Sequence, residues 1–225
     1  MPFGKRKGPR KLSRAQVAIL RRSARRRESF IAEYEFPRYL WKRVRNRLPG
    51  LSDEEMELVE RGLREWFTCC AWRWNAILGM PSRAVDEAWH EFILDTQTYT
   101  SFCQGAVGGY LHHTPDEAMG TPMGNALIQT VRAWDRSERG REEESVLWDL
   151  DERLGIAKPL GIDGLQLAAA RSSTPDPTGA GWVGAGYAAS CFVGGGGGGD
   201  GGSGCSGGGG CSGSCGGGGC GGGGS

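Results

Sequence analysis

The sequence has no long hydrophobic run. Its longest apolar stretch near the N-terminus, Val17 to Leu20, is flanked by arginines on both sides. Such a stretch is far shorter than the ~18 residues a membrane span needs, and it does not read as a secretory signal. The expectation is an intracellular, cytoplasmic protein without a transmembrane segment. Histidine is scarce: His90, His112 and His113 are the whole supply. Neither an HExxH helix motif nor a CxxC pair occurs before the tail, so none of the common zinc motifs is available. No alternating strand pattern is found before residue 155, which excludes a β-rich core. Cysteine is sparse in the body as well. Of eight cysteines only Cys69, Cys70 and Cys103 precede the last quarter of the chain. In an intracellular chain they read as reduced thiols.

What is present is unevenly spread. Residues 1–50 hold 16 Lys/Arg against 3 Asp/Glu, whereas residues 51–225 hold 11 against 23. A basic N-terminal section thus precedes an acidic body, which invites either self-association or an anionic partner. Glycine is concentrated at the other end: Gly194–Ser225 contains 22 glycines, 5 serines, 4 cysteines and one aspartate. Glycine at that density holds no core.

Four sections follow. Residues 1–14 read as a flexible basic arm and 15–155 as a helical domain. Residues 156–193, with Pro159, Pro175 and Pro177, read as a linker, and 194–225 as a disordered Gly/Ser/Cys-rich tail. The helical domain is read as an all-α bundle of five or six helices. A first helix spans 15–35, with Arg21, Arg22, Arg25, Arg26 and Arg27 covering much of its surface. Those arginines are either a solvated face or a binding surface for nucleic acid or anionic lipid. A second helix opens at Pro37. The clearest start is Ser52-Asp53-Glu54-Glu55, a capping box followed by apolar Val59, Leu63, Trp66, Cys70, Trp74 and Ile77. Gly79 and Pro81 are expected to end that helix. Ser82 caps the next, running to about 104. Thr114-Pro115-Asp116-Glu117 repeats the capping logic. Further helices are expected from Pro122 to Gly140 and from Glu142 to Leu154.

The chemistry concentrates between Asp86 and Pro115, where all three histidines lie. On a straight helix, Val85, Trp89, Phe92, Thr96, Tyr99 and Cys103 make a core-facing stripe. Asp86, His90, Ile93 and Gln97 make a second stripe about 100° around. Asp86 and His90 are one turn apart, the spacing at which a carboxylate and an imidazole share a metal or orient each other. His112 and His113 follow a glycine turn and diverge from each other, so one of them is expected to approach His90. An ion such as Zn²⁺ held by Asp86, His90 and one of His112/His113 is chemically reasonable. The bland alternative is a set of buried polar pins. Cys103, with Trp89, belongs to the core stripe and is a less favoured ligand or nucleophile. Glu91, beside His90, points about 100° away and is a weak general base for a metal-dependent hydrolase.

The segments MPSRAVDEAWHEFILDTQTYTSFC and GGYLHHTP resemble the signature of the glycine-rich domain-containing protein family of bacteria and plants. The D-x-x-W-H and H-H-x-P patterns carry the resemblance, with Asp86, Trp89, His90, Cys103, His112, His113 and Pro115 at signature positions within residues 81–115. The resemblance implies a helical domain and no agreed catalytic residues. Related bacterial proteins also end in Gly/Cys-rich tails. The thiols Cys205, Cys211, Cys215 and Cys220 then suggest a flexible interaction tail, a soft-metal or redox array, or a modified segment.

Overall fold

The computed structural model describes residues 13–74, 76–115, 118–172 and the strand residues 190–193. Among them are α1 (Arg14–Glu33), α2 (Arg38–Arg47), α3 (Asp53–Trp72), α4 (Arg83–Ile93), α5 (Thr96–Ala106) and β1 (Leu111–Thr114). They are followed by α6 (Met123–Arg136), α7 (Leu150–Arg153), α8 (Gly164–Ser172) and β2 (Ser190–Val193). The fold is helical, as its periodicity predicts. The basic arm before Ser13 and the glycine-rich tail with its four thiols lie outside the described residues.

Helix α3 is the axis of the domain, touching α1, α4, α5 and α6. It starts where the capping box places it: Ser52 Oγ accepts from Glu55 N–H, and the Glu55 carboxylate accepts from Ser52 N–H. Asp53, Glu54 and Glu55 face the positive end of its dipole. Its apolar positions Val59, Leu63, Trp66 and Phe67 are completely buried. Removing a Leu63- or Phe67-sized side chain from water is worth about 1.5–3 kcal/mol each. The helix ends at Trp72, short of Gly79. Arg136 of α6 donates to the Trp72 carbonyl, and Trp74 takes a positive φ of 47°, so Trp74 and Ile77 leave the helix. Gly79 is instead tied to α6, its N–H donating to Thr130 Oγ1 and its carbonyl accepting from the same hydroxyl.

The expected helix over 82–104 is two helices. Asp95 caps the second by accepting from Thr98 N–H, and Tyr39 of α2 donates to the same side chain. Thr96 consequently sits exposed at the first turn of α5 rather than in the core stripe. Thr114 closes β1 instead of capping a helix. The strand itself contradicts the reading that none precedes residue 155. It is only four residues long, and its antiparallel partner β2 lies some eighty residues away, pairing His112 with Phe192 and His113 with Cys191.

The expected helix over 142–154 also dissolves, although Val146, Leu147, Leu150 and Leu154 are buried as its pattern requires. The completely buried Glu65 carboxylate of α3 accepts from Ser145 Oγ and Val146 N–H. Holding that turn fixes a short 3₁₀ segment, Val146–Trp148, before α7. Within the stretch read as linker, α8 forms and packs on α6. Ala170 is buried there, and Arg171 pairs with Asp135 and Glu144.

Candidate metal centre

Two elements supply the centre, and each is fixed before its polar residues matter. Helix α4 begins on a buried carboxylate. Asp151 accepts from Ser82 Oγ and from the N–H groups of Arg83, Ala84 and Leu160. With that start fixed, Val85, Ala88, Trp89 and Phe92 turn inward and are completely or almost completely buried. Asp86 and His90 then fall on the rim of the same helix, one turn apart.

The strand arrives by a second tie. Trp89 Nε1–H donates to Tyr99 Oη over 2.9 Å, and Tyr99 O–H donates to the Leu111 carbonyl over 2.6 Å. All three residues are fully buried. Leu111 therefore sits beside Trp89, and the two-residue alternation of a strand sends His112 one way and His113 the other. His113 lies against Trp89, with ring centroids 4.7 Å apart, and against His90, with centroids 4.1 Å apart. His113 Nε2 is 3.1 Å from Asp86 Oδ1, and His90 Nδ1 is 3.6 Å from Asp86 Oδ2. One ligand atom from each of the three residues can be chosen so that all lie within 4.8 Å of one another. Side-chain exposure is 19% for Asp86 and His113 but 45% for His90, so the group opens to solvent on the His90 side.

These spacings suit a small cation. Two donor atoms bound tetrahedrally at the usual zinc distances are about 3.3 Å apart, and the two carboxylate–imidazole distances straddle that value. An ionised carboxylate only accepts hydrogen bonds, so the contact to His113 requires a proton on Nε2. A bound cation would replace that proton.

The other residues singled out in the sequence fall elsewhere. His112 is not part of the group: it is exposed and stands over the Tyr110 ring at 4.7 Å. Cys103 is completely buried. Burial pushes its thiol up to about 11, against the opposing effect of hydrogen bonding with the Leu111 backbone and the Tyr99 side chain. That is wrong for a nucleophile. Glu91 is engaged with α2, accepting from Arg43 and Arg47 at 2.7 Å each. Burial raises its pKa, but the two guanidinium hydrogen bonds and charges outweigh it and hold the carboxyl below its ordinary value. Of the five arginines, Arg25 pairs with Glu138, and Arg27 lies over Gly108, whose φ of +80° favours glycine there. Arg21, Arg22 and Arg26 are exposed. The Tyr99 tie, which positions β1 beside α4, is the feature that sequence reading missed. Tyr99 was visible only as one more core-stripe aromatic.

Comparison with known proteins adds a family. The UCP032817-like family matches residues 26–158, more than half of the chain, from within α1 to just past α7. The chain belongs to the UCP032817-like family. No curated protein and no solved structure matches it. The UCP032817-like region contains all of Asp86, His90, His113, Trp89, Tyr99 and Asp151, so the centre and both of its supports fall within the family's domain. Arg14, Arg21, Arg22 and Arg25 precede it.

Proposed function

We propose that this chain is a helical module that binds one divalent cation of the zinc class through Asp86, His90 and His113. The observation that carries the reading is the convergence of one carboxylate and two imidazoles, from two separate elements, within 4.8 Å. Three protein ligands leave a fourth position for water or for a group from a partner. In this reading, kinship with glycine-rich domain-containing proteins extends to the tail. Cys205, Cys211, Cys215 and Cys220 then serve interaction or thiol chemistry in the cytoplasm. Hydrolysis at the same ion is the weaker use of the site. The carboxylate next to His90 in sequence, Glu91, is committed to Arg43 and Arg47 and is not free to act as a base.

The test is Co²⁺ titration of the chain with its four tail cysteines changed to serine, compared with the same chain carrying His90→Ala. His90 is exposed enough that this change should leave the fold intact. One equivalent of Co²⁺ with a ligand-field band is expected, and both should disappear in the His90→Ala chain. Equal stoichiometry and spectra in the two chains would sink the reading.

A further inference from the structure

The first ten residues of α1, Arg14–Ser23, contain no buried side chain, and the first buried residue of the helix is Ala24. Nothing acidic occurs between Arg14 and Arg27. Several arginines of other helices are matched to carboxylates: Arg43 and Arg47 to Glu91, Arg61 to Glu65 and Glu143, Arg64 to Glu60, and Arg171 to Asp135 and Glu144. Arg25 is, among the described residues, the one arginine of α1 with a carboxylate partner, Glu138. Among the described residues, Arg14, Arg21, Arg22 and Arg26 have none. Arg27 is crowded by burial and by Arg73 and Arg26, which together lower its pKa. The N-terminal half of α1 thus concentrates exposed cations that have no carboxylate partner among the described residues.

We propose that this N-terminal half of α1 is a docking surface for double-stranded DNA, gripping it through phosphates. Arg14, Arg21, Arg22 and Arg26 are the contacting residues. From Arg14 to Arg26 the helix rises about 18 Å, the length of about five base-pair steps, and the four side chains spread over about 140° of its circumference. A helix of ordinary diameter enters the DNA major groove, whereas the deep, narrow major groove of duplex RNA does not admit side chains. Single strands are disfavoured because the row offers no aromatic for base stacking. None occurs from Ser13 to Ser29, and Phe30 packs on Tyr34 and Phe102. A membrane surface is disfavoured because Ile19 is the one exposed large apolar side chain on this stretch, Val17 and Leu20 being half-buried. Phosphate contacts without base readout give sequence-independent binding.

The experiment is fluorescence anisotropy of a labelled 20-base-pair DNA with the full chain from 50 to 200 mM salt. It is repeated with the full-length triple variant Arg21→Gln/Arg22→Gln/Arg26→Gln and with a control, Arg38→Gln/Lys42→Gln on α2. Circular dichroism checks that each variant keeps its helix content. The expected result is linear loss of log affinity with log salt. The slope should be shallower by about three in the triple variant, because each lost phosphate contact removes about 0.9. Its affinity at 50 mM should fall at least tenfold, and the control should match the parent. The proposal is overturned by absent binding at 50 mM salt or by an unchanged slope in the triple variant. It is equally overturned by tighter binding to single strands, duplex RNA or phosphatidylserine vesicles, or by a salt-sensitive homodimer in place of a DNA complex.

Discussion

Tyr99 positions the candidate centre without belonging to it. Its hydroxyl accepts from the Trp89 indole and donates to the Leu111 carbonyl, all in the buried interior. Tyr99→Phe leaves both of those groups short of a partner, at a cost of about 1–3 kcal/mol. Chemical denaturation should show that loss. Metal affinity should fall too, because β1 loses the bond that sets His113 against Asp86. The thiols give a second residue-scale expectation. Cys69, Cys70 and Cys103 are buried, and burial raises the Cys69 thiol well above its ordinary value. These three should resist alkylation until the chain unfolds, as counted by intact mass before and after denaturant.

At the scale of elements, buried carboxylates decide where helices begin. Asp151 satisfies four donors at the entry to α4, two on each oxygen. Asp151→Asn should therefore be nearly as damaging as Asp151→Ala, since the amide turns donors toward donors. A loss of about 2–4 kcal/mol is expected for either, measured by urea unfolding. A milder result for Asn would contradict the four-donor reading. Much of the element order was legible in the sequence. Ser52 and Glu55 announced α3, and the one-turn spacing of Asp86 and His90 put them on one face. The divergence of His112 and His113 meant that only one could arrive. The corner at Asp95 was hidden because apolar spacing continues through it from Phe92 to Tyr99. The Asp95–Thr98 cap was its only local sign. Strand β1 was hidden because its partner is distant. The loss of the 142–154 helix came from Glu65, a tertiary carboxylate that outcompeted the local helix pattern.

For the molecule as a whole, three carboxylates with lowered pKa values tie distant segments together. Burial raises Glu91 and Glu143, but Arg47 and Arg43 for the first, and Arg139 and Arg61 for the second, more than offset it. Glu144 is lowered chiefly by the hydrogen bond from Arg171, against the opposing effect of burial. A carboxyl lowered in the folded state stabilises the fold above its unfolded pKa of about 4.3, and that stability is lost as pH falls through the folded value. Stability should accordingly be level above about pH 5 and decline below about pH 4. Glu91→Gln should flatten part of that decline while lowering stability at neutral pH. Thermal melts across pH 3–7 would show both effects, and a parent whose melting temperature is flat to pH 3 would refute them.

The corner at Asp95 has a consequence in time as well as in space. Because α4 and α5 fold back on one another, Asp86 and His113 meet across only 27 residues of chain. Closing a loop of that size costs about 1 kcal/mol less in chain entropy than docking β2 from some eighty residues away. The stretch from Ser82 to Thr114 should then be among the earliest parts to organise during refolding. Pulse-labelled amide exchange would find Leu111 protected before the strand's distant partner.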